Sequence, residues 1–228
     1  ESGKNVTVGI LEDECNELNK RFFTFHQKQR PYIILKWAET ADGFISPISK
    51  EEKSPVWITN PYSRQLVHKW RTEEQAILVG TNTVLDDNPK LDARDFSGNN
   101  PIRIVLDKSG KISENYHVKN NSQKTIFITE SENFISTENC IYENAIFDIH
   151  LISSICDILY KNNIQSVIVE GGSKTLQSFI DANLWDEARV FKGDTTFQNG
   201  ILAPNISGNP VAGFDIMNDE LKIFKNYD

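Results

Sequence analysis

The sequence has few cysteines, no long hydrophobic run and no excess of positive charge. Its 228 residues include only three cysteines, Cys15, Cys140 and Cys156, with no CxxC pair and no histidine at metal-ligand spacing. An odd, scattered set predicts free thiols in a reducing, cytoplasmic compartment rather than disulfides or a metal site. No run of about 18 apolar residues is present, so no transmembrane helix is expected.

The charge balance is acidic, with a formal net charge of -8. This argues against non-specific binding to nucleic acid or to an anionic membrane. It does not exclude phosphorylated small molecules, because two or three well-placed basic groups are enough to bind a phosphate. The chain begins Glu1-Ser2-Gly3, which is neither an initiator Met nor a signal peptide, and we therefore expect it to be a piece of a longer protein.

Apolar runs and helical patterns alternate along the chain. Near-continuous apolar runs predict buried strands at 31–38, 76–79, 102–106, 125–129 and 166–169. Helical patterns are predicted at 12–27, from Asn60-Pro61 onward, at 151–160 and at 175–184. Later strands are predicted at 189–191 and 221–224, with a C-terminal antiparallel hairpin from about Phe214 that turns at Met217-Asn218-Asp219. This order predicts an α/β fold with a mostly parallel sheet flanked by helices.

The most informative positions lie at the predicted carboxyl ends of strands, where open α/β sheets bind their ligands. Lys36 follows Tyr-Ile-Ile-Leu in the first strand. Because a buried ammonium without a partner is costly, this side chain must face a polar group. The residues leave two interpretations open: a functional lysine, or a lysine paired with a neighbouring carboxylate.

Two arginines are candidates for binding a phosphate. Arg71 ends the helix that begins at Asn60-Pro61, and Arg94 follows the turn after Asp92. Two converging guanidiniums can make bidentate, charge-assisted bonds to one phosphate. Arg71 could equally offset the dipole at its helix C-terminus, and the spacing does not choose between these roles.

A strand, two glycines and a predicted helix start occur together at Val169-Glu170-Gly171-Gly172-Ser173. Free amide donors at such a helix start are suited to a pyrophosphate. The motif is not a full GxGxxG, and a tight strand-to-helix turn explains the glycines as well. Glu170 is a candidate for the cleft because it stands at the end of the strand.

Histidines and tryptophans offer weaker signals. The histidines are dispersed, and we interpret them as surface or capping residues: His26, His68, His117 and His150. Trp70 and Trp185 are interpreted as core residues. Trp57 stays open as a cofactor platform because it directly precedes the Thr59-Asn60 helix start.

In order, the chain contains Arg30-Pro31-Tyr32, Lys36, Asp42-Gly43, Trp57-Ile58-Thr59, Arg64, Val67-His68, Arg71, the run from Ile77 to Pro89, Leu91, Arg94, the run from Pro101 to Asp107, and Val169-Glu170-Gly171-Gly172. This series resembles the reductase domain of the bifunctional riboflavin-biosynthesis deaminase/reductase, a member of the dihydrofolate reductase superfamily. The resemblance covers residues 30–228, and the run from Ile77 to Pro89 is its most specific part.

The resemblance implies a dihydrofolate-reductase-like fold in which NADPH delivers hydride to C1′ of the ribose of 5-amino-6-(5-phosphoribosylamino)uracil. Residues 1–29 resemble the tail of a preceding deaminase domain. The deaminase zinc signature, His-x-Glu followed by Pro-Cys-x-x-Cys, is absent, so only the reductase activity is expected. The implied partners are the phosphorylated pyrimidine, a fused deaminase domain and a second copy in a homodimer, with no metal.

Site residues are carried over by matching position. The resemblance implies substrate contacts from Lys36, Ser54, Arg71, Leu91, Arg94 and Glu170. It implies cofactor contacts from Ala38, Trp57, Thr83, Asp87, Lys108, Gly172, Ser173, Lys174, Thr175, Leu176 and Gln177. The implied catalytic residues are Lys36, Asp87 and Glu170.

The sequence departs from the family pattern at two places. Glu39, Thr40 and Ala41 stand where the family more often has small residues and a Leu before Asp-Gly, and Lys108 stands where Ser or Arg is common. Two rival functions remain. One is a folate-type reductase on the same fold, which has less need of basic residues suited to a sugar phosphate. The other is a non-catalytic nucleotide-binding module, which has no need of polar strand ends.

Overall fold

The computed structural model describes residues 3, 5–48 and 56–227. Within them the helices are α1 Glu12–Leu18, α2 Lys20–Lys28, α3 Pro61–Glu73, α4 Thr81–Asp87, α5 Leu151–Lys161 and α6 Ser173–Asp181, with a short 3-10 helix at His117–Lys119. The strands are β1 Tyr32–Glu39, β2 Phe44–Pro47, β3 Ala76–Gly80, β4 Ile102–Leu106, β5 Thr125–Thr129, β6 Cys140–Asn144, β7 Ser166–Val169, β8 Glu187–Lys192, β9 Gly200–Leu202, β10 Ala212–Ile216 and β11 Asp219–Lys225.

A nine-stranded sheet in the order β10-β11-β8-β1-β7-β3-β4-β5-β6 organises the chain. The strands from β8 to β6 in this order run parallel, whereas β11 pairs antiparallel with β8 and β10 antiparallel with β11. The predicted fold class, a mostly parallel α/β sheet with a C-terminal antiparallel hairpin, is confirmed. The hairpin turns at Met217-Asn218, since Ile216 pairs with Asp219.

Both faces of the sheet are covered, which explains why the central strands are apolar throughout. On one face, α5 and α6 bury Ile155, Leu159 and Phe179 against the sheet. On the other, α3 packs Val67 and Trp70 against β1, and α4 packs Val84 against β3 and β4. Lys36 points towards the α3 face, because side chains alternate along β1 and its neighbours Ile34 and Ala38 pack there.

Helix α3 begins as predicted. The side chain of Asn60 accepts hydrogen bonds from the backbone N–H groups of Tyr62 and Ser63, and Pro61 occupies the first helical position. The Asn60 N–H and the Ser63 hydroxyl also donate to Asp219 Oδ2, at 2.9 and 2.5 Å. The C-terminal hairpin therefore holds the start of α3 against the sheet.

Several predicted boundaries were wrong. The helix predicted at 12–27 is divided at Asn19. The exposed side chain of Asn19 donates to the Cys15 carbonyl oxygen, a local bond that competes with the helix. The sequence patterns also missed α4, β2, β6 and β9. Helix α4 carries no clear periodic signal, because only Val84 is buried in it. Strand β2 carries none either, because it pairs with β9 from a distant part of the chain.

None of the helices that the structure describes is long and apolar enough to span a bilayer. The three cysteines are free thiols, with Cys140 and Cys156 buried and Cys15 exposed. Burial raises the pKa of Cys156 to about 12, which makes this thiol unreactive.

Candidate active site

A cavity of about 810 Å³ lies at the carboxyl ends of β1, β3 and β7. Its walls come from these strand ends, from α3 and α4, and from the first turn of α6. Lys36 and Ala38 reach it from β1, Arg71 from α3, Glu170 from the end of β7, and Arg94 from the loop after α4. The structure thus brings together the three strand-end groups that the sequence singled out.

Arg71 and Glu170 form the central ion pair of this cavity. Arg71 Nε donates to Glu170 Oε1 at 3.0 Å and Nη2 donates to Oε2 at 2.7 Å, a bidentate arrangement. Both side chains are nearly buried. In the described part of the chain Lys36 makes no salt bridge, and its ammonium lies 5.8 Å from the centre of the Phe191 ring. The cationic partner of the Glu170 carboxylate is therefore Arg71 rather than Lys36.

The charges of this cluster shift one another's pKa. Burial acts to raise the pKa of Glu170, but Arg71 and Lys36 outweigh it and lower the pKa to about 2. Burial lowers the pKa of Lys36, and Arg71 adds to this while Glu170 opposes it. At neutral pH Glu170 is accordingly an anion that cannot donate a proton. Lys36 is a stronger acid than an exposed lysine, and its side chain borders the cavity.

The loop that carries Arg94 is bound to α3 through Asp92. Arg94 Nη1 donates to Asp92 Oδ1 at 2.6 Å, and Arg71 Nη1 donates to the Asp92 carbonyl oxygen at 2.9 Å. Arg94 remains about half exposed, whereas Arg71 is largely enclosed. Both guanidiniums border the same cavity and are held in place by the same residue.

The turn between β7 and α6 brings backbone close to backbone. A Cβ atom on Gly171 would lie 3.0 Å from the Thr175 Cβ and 3.4 Å from the Gly80 nitrogen, so a side chain there would be crowded. None of the described side chains caps the first turn of α6. Its amide donors therefore remain available to an anion beside Gly172, Ser173 and Lys174, all of which line the cavity together with Thr175.

Trp57 stands at the rim of the cavity. It is 56% exposed, and the Arg64 guanidinium lies 4.6 Å from the centre of its ring. Arg64 Nη1 also donates to the Thr59 carbonyl oxygen at 2.6 Å. The indole is thus supported on one side by α3 and presents a large apolar surface. Trp70 and Trp185 are buried, which confirms their prediction as core residues.

The remaining cofactor candidates lie along the wall formed by α4 and the end of β4. Thr83 and Asp87 line the cavity from α4, and Lys108 lines it just after β4. The Lys108 ammonium is about half exposed and lies 3.5 Å from Glu130 Oε1. A cation at this rim is free to move towards an anionic group, although Glu130 competes for it.

Three predicted site residues are not brought to the cavity. The side chains of Leu91 and Leu176 are buried in core clusters, Leu91 with Val84 and Val105. Gln177 bonds Asp181 and the Asn205 backbone on the outer side of α6. The structure does not support side-chain contacts from these three. Ser54 lies outside the described residues.

His68 was wrongly predicted as a surface or capping residue. It is buried and lines the cavity, with Nδ1 3.0 Å from the Asp92 carbonyl oxygen and Nε2 3.1 Å from Asp95 Oδ2. Arg64, which also lines the cavity, received no role from the sequence. The available signal was spacing: Arg64, His68 and Arg71 stand at i, i+4 and i+7 and share one face of α3.

Comparison with known proteins identifies relatives over most of the chain. A family model described as the RibD C-terminal domain matches residues 31–195. The riboflavin biosynthesis protein RibD of Aquifex aeolicus (strain VF5) is 34% identical over 234 residues, which cover 98% of this chain and 62% of that protein. The chain thus spans less than two thirds of the length of this relative.

Two solved structures agree with the observed architecture. The deaminase/5-amino-6-(5-phosphoribosylamino)uracil reductase from Thermotoga maritima is 33% identical, with a TM-score of 0.81 over 95% of this chain and 62% of that one. A dihydrofolate reductase from Enterococcus faecalis, 14% identical, has a TM-score of 0.52 over 86% of this chain and 97% of that one. The second similarity shows the fold alone, and the fold is dihydrofolate-reductase-like.

Proposed function

The chain belongs to the RibD C-terminal domain family, and from that premise we propose that it reduces the ribosyl group of 5-amino-6-(5-phosphoribosylamino)uracil to the ribitylamino product with NADPH. One observation carries the proposal. Lys36, with its lowered pKa, borders the same cavity as two arginines and the uncapped start of α6. A phosphorylated sugar and a dinucleotide need these features at opposite ends of one site.

The cofactor end fits a dinucleotide phosphate. Gly171 lies so close to Gly80 that this turn has little room for a side chain. The first turn of α6 offers free amide donors to a pyrophosphate. Trp57 offers an apolar ring surface at the rim. When bound, the nicotinamide supplies the hydride; the protein supplies orientation and electrostatics.

We assign selection of the 2′-phosphate to Lys108, because its ammonium is exposed at this wall. A charged hydrogen bond contributes about 1.5–3 kcal/mol. Lys108→Ala should therefore lower the preference for NADPH over NADH by roughly tenfold or more, measured as the ratio of kcat/KM for the two cofactors. An unchanged ratio assigns the selection to another residue.

The substrate end fits a phosphate. Arg94 is about half exposed and its guanidinium has one carboxylate partner, Asp92, which a phosphate could replace or share. Arg71 uses one hydrogen of each nitrogen for Glu170 and Asp92, which leaves further N–H groups on both Nη atoms. The pair would hold the 5-phosphate and so place the ribose near Lys36.

Lys36 is proposed to serve the reacting end. Hydride addition at C1′ releases an electron pair to oxygen or nitrogen, which must be stabilised or protonated. An ammonium with a lowered pKa donates a proton more readily than an ordinary lysine. Glu170 stays ionised, and we assign it to orienting the substrate and Arg71. Asp87, on α4, is proposed as a further catalytic and cofactor-contacting residue.

The deciding experiment is NADPH oxidation, followed by its near-UV absorbance, with the deaminated pyrimidine as substrate. Turnover with this substrate and none with dihydrofolate supports the proposal. The reverse pattern supports a folate-type reductase on the same fold. NADPH binding without turnover on either substrate supports a non-catalytic nucleotide-binding module.

We further propose that residues 1–29 continue a deaminase domain and that the reductase occupies 30–228 as a cytoplasmic homodimer. The Thermotoga relative carries a deaminase by name, and this chain covers 62% of it. Helix α2 is already bound to the reductase sheet, since Arg21 bonds Glu74 and Lys20 bonds Glu187. Analytical ultracentrifugation of the full-length protein tests the dimer.

A further inference from the structure

Asp92 is the point at which three basic side chains of the cavity wall meet. Arg71 donates to its carbonyl oxygen, Arg94 donates to its carboxylate, and His68 Nδ1 lies 3.0 Å from the same carbonyl oxygen. His68 and Arg71 are three residues apart and share a face of α3. The imidazole therefore lies beside both arginines assigned to the substrate phosphate.

The two contacts of His68 together require a proton on each ring nitrogen. A carbonyl oxygen can only accept, so Nδ1 must donate to Asp92. Nε2 lies 3.1 Å from Asp95 Oδ2, and an ionised carboxylate also only accepts. A neutral imidazole has a single N–H, so its other nitrogen would point a lone pair at this carboxylate. Only the imidazolium satisfies both contacts.

The surrounding side chains oppose that second proton. Burial, then Arg71 and Arg94, lower the pKa of His68, whereas Asp95 and the Asp92 carbonyl raise it. Glu170 faces the group from the end of β7, but its charge is shared with Arg71. Two guanidiniums are thus the main electrostatic obstacle to the proton, and a bound oxyanion would offset their charge.

We propose that His68 is a proton-linked positioning residue: an oxyanion that binds between Arg71 and Arg94 causes His68 to take a proton from solvent, after which it holds Asp92 and Asp95 at once. The inference rests on the proposed function for the place of the anion. Above the pKa of His68 in the free protein, this protonation stabilises the loop that carries Arg94 only while the anion is bound. The cavity therefore closes on a phosphate more firmly than on a neutral group.

The sign of the pH dependence follows from linkage. Below the pKa of His68 in the free protein, the proton is already present and affinity for the anion is highest. As pH rises towards the higher pKa of the bound state, each binding event must take up a proton, and the affinity falls by up to about tenfold per pH unit. Above the bound-state pKa the affinity is low and constant.

Inorganic sulfate is the first probe, because its own charge does not change in the neutral range and any proton taken up belongs to the protein. Isothermal titration calorimetry in two buffers of different ionisation enthalpy counts the protons. We expect wild-type protein to take up a fraction of a proton on binding sulfate, and Kd to rise with pH. Ribose 5-phosphate is the second probe and carries the sugar.

His68→Asn keeps an N–H for the Asp92 carbonyl but cannot titrate. We expect it to bind sulfate without proton uptake and with a Kd that does not change with pH. His26→Asn is the matched control, because His26 is exposed on α2, and it should keep the wild-type proton count. A merely structural role of His68 would alter affinity without altering the proton count.

Zero proton uptake by wild-type protein overturns the inference but leaves the anion site intact, and this measurement needs no variant. Equal uptake by His68→Asn also overturns it and points to Lys36 as the group that titrates. If wild-type protein binds neither sulfate nor ribose 5-phosphate, the inference and the assignment of Arg71 and Arg94 to the phosphate fail together.

Discussion

Two clusters of buried charge lie on the same face of the central sheet, and only one of them borders the cavity. The carboxyl-edge cluster consists of Lys36, Arg71 and Glu170. The amino-side cluster consists of Lys20, Arg21, Glu74, Glu187 and Arg189. Two aromatic side chains lie between them: the Arg189 guanidinium is 4.5 Å from the Trp70 ring, and Trp70 packs against Phe191.

In the amino-side cluster each charged side chain has a partner inside the protein. Glu187 accepts from Lys20 at 2.9 Å, from Arg189 at 2.6 Å and from the Tyr32 hydroxyl at 3.1 Å. Arg21 bonds Glu74 with two nitrogens. This cluster joins α2 to the sheet, and none of its members lines the cavity. Its one buried nitrogen without a hydrogen-bond partner in the described residues is Arg189 Nη1, and this guanidinium lies against the Trp70 ring.

The carboxyl-edge cluster differs at Lys36. Both glutamates, Glu170 and Glu187, are buried anions whose pKa is about 2. A perturbed pKa therefore does not by itself separate a functional carboxylate from a structural one. What distinguishes the carboxyl-edge cluster is one of its members: Lys36 makes no salt bridge to any described residue and borders an 810 Å³ cavity. Charges that satisfy one another stabilise the fold, and the remaining one is available to a ligand.

The largest expected effect is on stability, from Glu187→Gln. Removing Glu187 takes the shared partner from a buried charge cluster and leaves Lys20 with Glu17 and Arg189 with Glu74 at 3.9 Å. We expect the free energy of unfolding to fall by about 3–5 kcal/mol. Denaturant unfolding measures it. Glu170→Gln should lose less stability, because Arg71 keeps its bond to the Asp92 carbonyl oxygen and lines the cavity, but more turnover. Equal loss of kcat in both variants would show that the two clusters act as one unit.

The next effect is on turnover, from Lys36→Met. Because this ammonium has no carboxylate partner among the described residues, its removal should leave the free energy of unfolding unchanged or higher. We expect kcat to fall by about two orders of magnitude, or about 2.7 kcal/mol. Lys20→Met is the matched control in the amino-side cluster and should lose stability but keep kcat. The contrast between the two clusters fails if Lys36→Met unfolds at a lower temperature than the wild-type protein and its folded fraction keeps a normal kcat at low temperature.

A smaller effect is expected on substrate binding, from Arg94→Ala. Loss of a charged hydrogen bond of about 1.5–3 kcal/mol should raise KM for the phosphorylated substrate by roughly one to two orders of magnitude, with kcat little changed. Lys90→Ala, an exposed residue of the same loop, is the control and should keep KM. An unchanged KM in Arg94→Ala removes this residue from the phosphate site.

The smallest effect near neutral pH is expected in the pH dependence of the free energy of unfolding. Glu170 and Glu187 each have a folded-state pKa of about 2 against an ordinary value of 4.5. Their stabilisation is therefore fully present above pH 4.5 and is lost as the pH falls towards 2. From pH 8 to 5 these groups should leave the unfolding free energy constant. Glu187→Gln should flatten the acid limb of the curve, and an unaltered limb would contradict the assignment.

Sequence patterns were sufficient wherever one local signal dominated. Apolar runs predicted the central strands β3, β4 and β5 to within a residue, because a strand covered on both faces must be apolar throughout. Asn60-Pro61 predicted the start of α3, because its cap uses only neighbouring atoms. The break at Asn19 was missed because a side chain that bonds a backbone carbonyl one turn earlier leaves the hydrophobic period unchanged.

The sequence by itself determined most strands of the main sheet, its C-terminal hairpin and the polar residues at its strand ends, because each depends on residues close together in the chain. Only the tertiary structure decided which charges pair. Arg71 and Glu170 are 99 residues apart, and Lys20 and Glu187 are 167 residues apart. Nothing in the spacing shows that Glu170 takes Arg71 and leaves Lys36 to the cavity. His68 became a candidate for the same reason: its partners, Asp92 and Asp95, reach it through the packing of a loop against α3.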